Sequence, residues 1–230
     1  MTNIGFRILS LKKRPDKSLI KQYGNVVTPH ISDNMNRMNA MSSFLRPYHR
    51  DGKLVGTAFT IKTRPGDNLM VHKAIDLAEP GDVIVVDAGG DMTNAIFGEI
   101  MMRMAKKRGI AGVVVDGAIR DVAAISKDVF PVYAKGVTHR GPYKDGPGEI
   151  NVPVSIGGII INPGDIIVGD EDGIAVVPLE EAEDVIRRVR SQQELEENIL
   201  QSIQEGTINR DWIDETLKQK GCEFLSPQIL

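Results

Sequence analysis

Two valine-rich runs, separated by a stretch with helical periodicity, constrain the fold of this chain more than any other feature. The runs are DVIVVDAG and GIAGVVVDG, and the stretch between them is NAIFGEIMMRMAKKRG. Short β-branched runs favour buried strands. The intervening segment has a predicted apolar helix face made of Ile96, Ile100, Met101 and Met104. This order of segments indicates a strand, a crossover helix and a second, parallel strand. The sequence therefore predicts an α/β fold with a parallel βαβ core.

The remainder of the chain extends this core. Residues 131–178 contain short β-rich segments separated by turns, which predicts a β layer. After Pro178 the sequence becomes a long, highly charged helix. We therefore expect one α/β domain over residues 1–178 and a C-terminal helical tail over residues 179–230 that contacts a neighbouring subunit.

Charge and composition narrow the class of partner. The net charge is −3, which argues against nucleic acid or an anionic membrane and favours a small-molecule substrate. One cysteine, Cys222, excludes an internal disulfide framework. The N-terminal region lacks the apolar run of a signal peptide, and no segment approaches the roughly 20 apolar residues of a spanning helix. The expected location is the cytoplasm.

The second valine-rich run ends in charged residues, namely Asp116, Arg120 and Asp121. A charged pair after a strand is usually a solvated helix start. In open α/β sheets, however, binding sites collect at the carboxyl ends of strands. Glu99, at the start of the predicted crossover helix, precedes Arg120 with twenty residues between them. The βαβ geometry brings that helix start beside the end of the second strand, so the two segments are candidates for one pocket.

These residue types suit one chemical task, which is to hold a small anionic oxo acid beside a divalent cation. A guanidinium grips carboxylate or enolate oxygens as a fork, and free N–H groups at a helix N-terminus favour anions. One carboxylate with several waters is an ordinary Mg²⁺ site. Asp121 is the candidate metal ligand.

The chain resembles the RraA-like family, which includes class II aldolases for 4-hydroxy-4-methyl-2-oxoglutarate and 4-carboxy-4-hydroxy-2-oxoadipate, and the regulator of ribonuclease activity A. The resemblance covers most of residues 25–220 and rests on these segments: ISDNM, GTAFTIKTRPGDNLMVHKAIDLAEPGDVIVVDAG, GEIMMRMAKKRGIAGVVVDGAIRD, FPVYAKG, PGEINVPVSIGG and PGDIIVGDEDGIAVVP. It implies the family's swivelling β/β/α fold, with a parallel βαβ core, a β layer and a C-terminal helical tail.

The resemblance also implies roles for individual residues. The aldolase motif is an acidic residue, twenty residues, then Arg-Asp, and this chain matches it with Glu99, where the motif has Asp, followed by Arg120 and Asp121. Arg120 would hold the pyruvyl group, Asp121 would bind Mg²⁺ or Mn²⁺, and water linked to Glu99 is a candidate base. The substrate carboxylate would be bound by backbone amides of the segment Gly98, Glu99, Ile100 and Met101.

The implied activity is cleavage of a 4-hydroxy-2-oxo diacid to pyruvate and a second oxo acid, with decarboxylation of oxaloacetate as a side activity. The implied assembly is a homotrimer or homohexamer, in which Glu194 or Glu197 of the tail reaches a neighbour's metal. The alternative from the same family is a non-catalytic, protein-binding regulator of ribonuclease activity.

Other polar residues have simpler interpretations. Asp116 is expected to orient the turn or Arg120 rather than to bind metal. The four histidines lack metal-ligand spacing, and core packing is the expected role of His72. The stretch DAGGDMTNAIFG lacks the spacing of a dinucleotide loop. Its glycines are expected to let backbone amides approach a small carboxylate.

Overall fold

The structure, a computed structural model, describes residues 3–223. The chain divides into a first compact unit that ends at Val189 and a second that begins at Arg190. In chain order the strands are β1 (Phe6–Ile8), β2 (Arg46–Pro47), β3 (Leu54–Thr63), β4 (Asp82–Phe97), β5 (Gly112–Ile119), β6 (Val132–Val137), β7 (Gly148–Ile150), β8 (Val154–Ile156), β9 (Ile159–Ile161), β10 (Ile166–Asp170) and β11 (Gly173–Val177). The helices are α1 (Lys17–Tyr23), α2 (Thr28–Asp33), α3 (Leu69–Leu77), α4 (Glu99–Lys107), α5 (Val122–Ile125), α6 (Ala182–Glu205) and α7 (Asp211–Gln219).

One mixed sheet organises the first unit. Its strand order is β1-β7-β3-β4-β5-β6-β2, and β10 and β11 extend from the amino-terminal half of β3. Strands β3, β4, β5 and β6 run parallel to one another, and β8 pairs with β9 as a separate hairpin. The predicted α/β class and the parallel unit β4–α4–β5 are therefore confirmed.

Both faces of the parallel strands are buried, which explains why these strands are nearly continuous apolar runs. On one face, Ile84, Val86 and Val113 pack with helices α3 and α4. On the other face, Val85, Val114 and Tyr133 pack with β8, β9 and residues from β10 and β11. A third cluster joins β10 and β11 to α1, α2 and the first turns of α6.

Helix α4 begins later than the sequence pattern predicts. Strand β4 continues through Ile96 to Phe97, and the helix starts at Glu99. The predicted apolar face is wrong in part, because Ile100 is 71% exposed and the buried residues are Met101, Met102 and Ala105. Of the other predicted face residues, Ile96 lies in β4 and Met104 is 40% exposed.

The first unit extends beyond the expected boundary at residue 178. The first turns of α6 bury Ala182, Val185, Ile186 and Val189. From Arg190 to residue 223, no described residue is buried. Among residues 3–223, none of the helices is both long enough and apolar enough to cross a lipid bilayer.

Candidate active site

The candidate site lies where β4 and β5 end. The backbone N–H of Arg120 donates to the carbonyl of Phe97 at 3.0 Å. The backbone N–H of Glu99 donates to Asp121 Oδ2 at 3.1 Å. These two hydrogen bonds fasten the N-terminus of α4 to the segment that follows β5. The predicted proximity of the two segments is thus present in the structure.

A cavity of about 320 Å³ opens at this junction. The residues that line it are Asn68, His72, Ala95, Ile96, Phe97, Gly98, Ile100, Met101, Arg120, Asp121, Gly141, Pro142 and Lys144. Of the charged residues among them, two are cations and one is an anion. The lining therefore favours an anionic ligand while keeping one carboxylate available.

Asp121 has an unusual backbone conformation for a residue with a side chain. Its φ is 60° and its ψ is 34°, which is the left-handed region. Aspartate tolerates this region better than most residues do. The conformation ends the strand run and starts α5, and the carboxylate, 41% exposed, borders the cavity.

The side chain of Arg120 reaches the same cavity, and the N–H groups of its guanidinium are available to a ligand. Its Nε lies 3.8 Å from Asp121 Oδ2, and its side chain is 43% exposed. No described residue accepts a hydrogen bond from its guanidinium. A guanidinium with unused N–H groups beside a cavity is suited to grip a carboxylate or an enolate.

Two glycines leave the space that the Arg120 side chain occupies. A Cβ at Gly98 would lie 2.6 Å from Asp121 Oδ2 and 3.1 Å from Arg120 Cγ. A Cβ at Gly141 would lie 3.3 Å from Arg120 Nη1. A side chain at residue 98 would therefore collide with the Asp121 carboxylate and crowd the Arg120 side chain.

The N-terminus of α4 faces the cavity through Ile100 and Met101. The first N–H groups of a helix have no carbonyl partner within the helix. In α4 the N–H of Met102 is the first to have one, because it donates to Gly98 O at 3.0 Å. The helix start is therefore a favourable place for a carboxylate. Within the predicted segment 98–101, Ile100 and Met101 remain candidates to bind a substrate carboxylate through their N–H groups, whereas the N–H of Glu99 already donates to Asp121.

Glu99 takes part in the site through its backbone. Its carboxylate is paired one turn along α4, where Oε1 lies 2.6 Å from Arg103 Nη2 and accepts from Arg103 Nε at 2.8 Å. Its side chain is absent from the described lining of the cavity. The N–H that Glu99 donates to Asp121 fixes one carboxylate oxygen and leaves the other available.

Three lining residues come from distant parts of the sequence, and the sequence pattern did not select them for the site. Asn68 is 3% exposed, and while its Nδ2 donates to Ile96 O at 3.1 Å, its Oδ1 is buried without a partner. Asn68 and His72 lie one turn apart at the start of α3, and Lys144 belongs to a loop. The sequence signal that could have identified Asn68 and His72 is their spacing of one helical turn, which places them on one face of α3.

Asp67 holds the loop that carries Lys144. Its carboxylate is fully buried and accepts the N–H groups of Asp145 and Gly146 at 2.7 and 2.9 Å. The loop also docks on α3, because Asn68 N donates to Tyr143 O at 3.0 Å. The Lys144 charge is therefore brought to the cavity by a buried anchor.

His72 is half-buried in the cavity wall and was expected in the core. Burial, and then the charge of Lys144, lower the pKa of its imidazole. A lowered pKa keeps the ring neutral at neutral pH. His72 therefore contributes hydrogen-bonding nitrogen atoms to the cavity without adding to its positive charge.

Two other candidates lie away from this cavity. Asp116, which the sequence pattern associated with Arg120, makes no side-chain hydrogen bond to any described residue and is not in the lining. The glycine pair Gly89 and Gly90 is not in the lining either. Gly90 borders Asp116, because a Cβ at Gly90 would lie 3.6 Å from Asp116 Oδ1.

The donor set fits a weakly coordinated divalent cation. No group of three or more His, Cys, Asp or Glu side chains within residues 3–223 is arranged to hold a metal ion. Mg²⁺, however, commonly binds through one or two carboxylates and keeps several waters. Asp121 offers one carboxylate, with one oxygen oriented by a backbone N–H, at a partly exposed cavity wall. An octahedral ion with mostly water ligands is compatible with that arrangement.

Sequence comparison relates the chain to proteins with a named activity. Residues 28–176 match the RraA-like family, described as Aldolase/RraA. The chain is 45% identical over 174 residues to a Halalkalibacterium halodurans protein provisionally named a 4-hydroxy-4-methyl-2-oxoglutarate aldolase, a match that covers 76% of this chain and 83% of that protein. It is 30% identical over 151 residues to the 4-hydroxy-4-methyl-2-oxoglutarate aldolase of Thermus thermophilus, covering 66% and 92% of the two chains.

Structure comparison gives the same fold with a second description. A Streptomyces coelicolor protein, described as an unusual member of the RNase ES inhibitor RraA protein family, superposes with a TM-score of 0.73 at 28% identity. The superposition covers 80% of this chain and 96% of that one. The relatives thus include proteins named as aldolases and a protein described by ribonuclease inhibition.

Proposed function

The chain belongs to the RraA-like family, and from this premise we propose that it is a divalent-metal-dependent aldolase. The proposed reaction cleaves a 4-hydroxy-2-oxo acid with at least one further carboxylate, of the 4-hydroxy-4-methyl-2-oxoglutarate or 4-carboxy-4-hydroxy-2-oxoadipate type, to pyruvate and a second oxo acid. The observation that carries the proposal is the convergence of Arg120, Asp121 and the N-terminus of α4 on one cavity.

Both proposed substrate types have a carboxylate at C1 and at least one further carboxylate on the C4 side, and the cavity offers a positive group for each end. The C1 carboxylate and the 2-oxo group lie against the amides of Ile100 and Met101 and the fork of Arg120. The distal carboxylate lies towards Lys144. Because the lowered pKa keeps His72 neutral, Arg120 and Lys144 are the cations that line the cavity.

Asp121 is the proposed ligand of Mg²⁺ or Mn²⁺. Such an ion, when bound, supplies Lewis-acid polarisation of the substrate's carbonyl oxygen. The N–H of Glu99 orients the Asp121 carboxylate, and Gly98 leaves the room that this orientation needs.

Arg120 stabilises the charge that develops during cleavage. The bond between C3 and C4 breaks, and its electron pair becomes the carbon–carbon double bond of the pyruvate enolate. The C4 hydroxyl loses its proton to a water at the cavity mouth and becomes the carbonyl of the second product, and the enolate then takes a proton from water at C3 to give pyruvate. A preorganised cation beside the developing oxyanion stabilises it more than the neutral substrate.

The same arrangement accounts for a side activity on oxaloacetate. Loss of CO₂ from oxaloacetate leaves the same pyruvate enolate, so the groups that stabilise one reaction also stabilise the other. The test is pyruvate release, coupled to lactate dehydrogenase, with Mg²⁺ and a panel of 4-hydroxy-2-oxo diacids, oxaloacetate and a 4-hydroxy-2-oxo monoacid. We expect turnover of the diacids and of oxaloacetate, and weaker turnover of the monoacid. If the protein released pyruvate from none of these substrates, the proposal would be overturned.

Gly98→Ala tests the packing of the site. The φ of Gly98 is −162°, a conformation that any residue adopts, so the expected effect arises from the new methyl group. At 2.6 Å from Asp121 Oδ2 the methyl group must displace the carboxylate. We expect kcat/KM for pyruvate release to fall about 10²-fold, the scale of an ångström-sized misplacement.

Gly24→Ala is the matched control for Gly98→Ala. Gly24 follows α1 with a helical φ of −63°, and the described atoms that a Cβ would meet there belong to Lys21 of the same helix. Its activity should equal that of the wild type. Full activity in Gly98→Ala would contradict the assigned geometry.

The proposed assembly is a homotrimer or homohexamer in which the tail packs on another copy. The second unit exposes large apolar side chains and buries none within residues 190–223. These exposed side chains are Leu195, Ile199, Leu200, Ile203, Ile208, Trp212 and Leu217. Helix α7 has 9 residues, and an isolated helix this short is marginal in water without an apolar partner. Glu194 and Glu197 are exposed on the same helix and are the candidates to reach a neighbour's metal.

Ile199→Glu tests this assembly. Ile199 is 49% exposed, and a charge placed there would have to be buried against the other copy. We expect the dissociation constant of the assembly to rise at least about tenfold, because burial of one isoleucine is worth about 1.5–3 kcal/mol. Sedimentation equilibrium measures the change. Gln201→Glu, two residues along the same helix, is the control and should sediment like the wild type. Equal masses for all three proteins at every concentration would contradict a docked tail.

The second candidate function is a non-catalytic, protein-binding regulator, favoured by the likeness to the Streptomyces coelicolor structure. A regulator would use the outer surface of the assembly and would need neither Arg120 nor Asp121. Pyruvate release that depends on both residues distinguishes the enzyme from the regulator.

A further inference from the structure

Residues 138–141 run across the ends of β5 and β4, beside the candidate site. The N–H of Thr138 donates to the carbonyl of Ile119 at 3.0 Å, and the N–H of Ala95 donates to the carbonyl of Arg140 at 2.9 Å. These two backbone hydrogen bonds, one at each strand, hold the segment against the strands that carry the site.

Packing, rather than hydrogen bonding, sets the position of the Arg120 guanidinium. No described residue accepts a hydrogen bond from it, and Asp121 Oδ2 lies 3.8 Å from its Nε. Gly141 lies against the guanidinium, because a Cβ at Gly141 would be only 3.3 Å from Arg120 Nη1. The position of Gly141 therefore limits where the guanidinium can lie.

The side chain of Asn94 holds Gly141 in place. Its Nδ2 donates to the carbonyl of Gly141 at 2.6 Å. The other side of the amide meets the turn before α3, because a Cβ at Gly66 would lie 3.2 Å from Asn94 Oδ1. The backbone of Asn94 is fixed as well, since its N–H donates to Asp91 Oδ2 at 3.2 Å. Asn94 therefore connects the two loops, although it is absent from the described lining of the cavity.

The same hydrogen bond occupies the carbonyl oxygen of Gly141. A guanidinium has N–H donors and no acceptor, so a free carbonyl on the residue that touches it would compete with a ligand for those donors. Asn94 reduces this competition by donating to the carbonyl itself. The N–H groups of Arg120 thus remain available to an anion in the cavity.

We infer that Asn94 is a positioning residue of the candidate site, which acts on the proposed reaction through Gly141 and Arg120. Its amide keeps Gly141 packed against the guanidinium and keeps the Gly141 carbonyl occupied. The inference rests on the proposed function, in which Arg120 binds the oxo acid and stabilises the enolate. Asn94 itself does not touch the substrate.

Asn94→Ala tests the inference through kcat/KM for pyruvate release. Without the hydrogen bond to Gly141 the guanidinium can shift, and we expect a fall of about tenfold, less than the loss that a full ångström of misplacement causes. The Tm should stay within a few degrees of the wild type, because the lost bond lies at an exposed place. Asn34→Ala is the matched control. It removes an Nδ2 donor to the carbonyl of His30 at 2.9 Å, away from the cavity, and should keep full activity.

Asn94→Leu separates the hydrogen bond from the volume of the side chain. Leucine has nearly the shape of asparagine and fills the space between Gly66 and Gly141 without a donor. This variant should therefore lose as much activity as Asn94→Ala. Wild-type activity in either variant would overturn the inference.

A double-mutant cycle shows whether Asn94 acts through Arg120. In the Arg120→Ala background, Asn94→Ala should change kcat/KM by less than about twofold, because the group that Asn94 positions is already absent. A merely structural role would lower the activity equally in both backgrounds. An equal loss of about tenfold in the two backgrounds would therefore overturn the inference.

Hydrogen exchange separates a failure of this inference from a failure of the proposed function. The N–H of Tyr143 donates to the carbonyl of Gly66 at 2.8 Å, beside Asn94. In Asn94→Ala, mass spectrometry should show at least about tenfold faster exchange in peptides that contain Tyr143, because the loop opens more often. Unchanged exchange in an active protein would overturn the inference alone. A wild type that releases no pyruvate would overturn the proposed function and the role of Asn94 in it.

Discussion

Replacing Arg120 with alanine is expected to lower kcat/KM for pyruvate release about 10³-fold while the Tm stays within a few degrees of the wild type. The magnitude is that of losing one preorganised group that stabilises a developing oxyanion. The Tm should hold, because the guanidinium is 43% exposed and its nearest carboxylate is 3.8 Å away. The coupled pyruvate assay and a thermal melt measure the two quantities.

Arg120→Lys separates charge from geometry. Lysine keeps the positive charge but lacks the planar fork, so its activity should lie between those of the wild type and the alanine variant. Arg50→Ala, which removes an exposed guanidinium from a surface pair, should retain full activity. If Arg120→Ala released pyruvate as fast as Arg50→Ala, the assigned role of Arg120 would be wrong.

Asp121→Asn is expected to abolish the Mg²⁺-stimulated rate, a loss of about 10³-fold or more for a charge that positions a catalytic ion. Asparagine is the informative substitution here. It tolerates the left-handed backbone at a φ of 60°, and its side-chain oxygen still accepts the N–H of Glu99. The fold and the position of α4 should therefore be unchanged in Asp121→Asn. The loss of rate then measures the effect of the missing negative charge.

Direct binding gives a second readout for Asp121. Mn²⁺ titration followed by electron paramagnetic resonance should show bound ion in the wild type and at least tenfold weaker binding in Asp121→Asn. Equal Mn²⁺ affinity in the two proteins would place the metal elsewhere, even if the activity fell.

The parallel unit that carries the site could be predicted from the sequence because its signals are local. Valine-rich runs define β4 and β5, and a segment with helical spacing separates them. Right-handed crossover geometry then requires the start of α4 and the end of β5 to be neighbours. The hydrogen bond between Glu99 N and Asp121 Oδ2 is the atomic form of that expectation.

The other side of the cavity could not be predicted, because its residues meet through tertiary structure. Lys144 reaches the site because Asp67, far away in sequence, binds the backbone of its loop. The direction of the Glu99 side chain depends on where α4 begins, and Arg103 one turn later provides its partner. Helix starts are set by capping and packing within one or two residues, a precision that the hydrophobic pattern of the β4–α4 segment did not provide.

Exchange of the methyl protons of pyruvate for deuterium tests the central claim most directly, because it requires the enolate and no other part of the substrate. In D₂O with Mg²⁺, the wild-type chain is expected to remove the methyl signal from the proton NMR spectrum of pyruvate. EDTA, Arg120→Ala and Asp121→Asn should each reduce the exchange to the uncatalysed rate. Wild-type protein that leaves the methyl signal unchanged, or exchange that persists equally in both variants, would contradict the account.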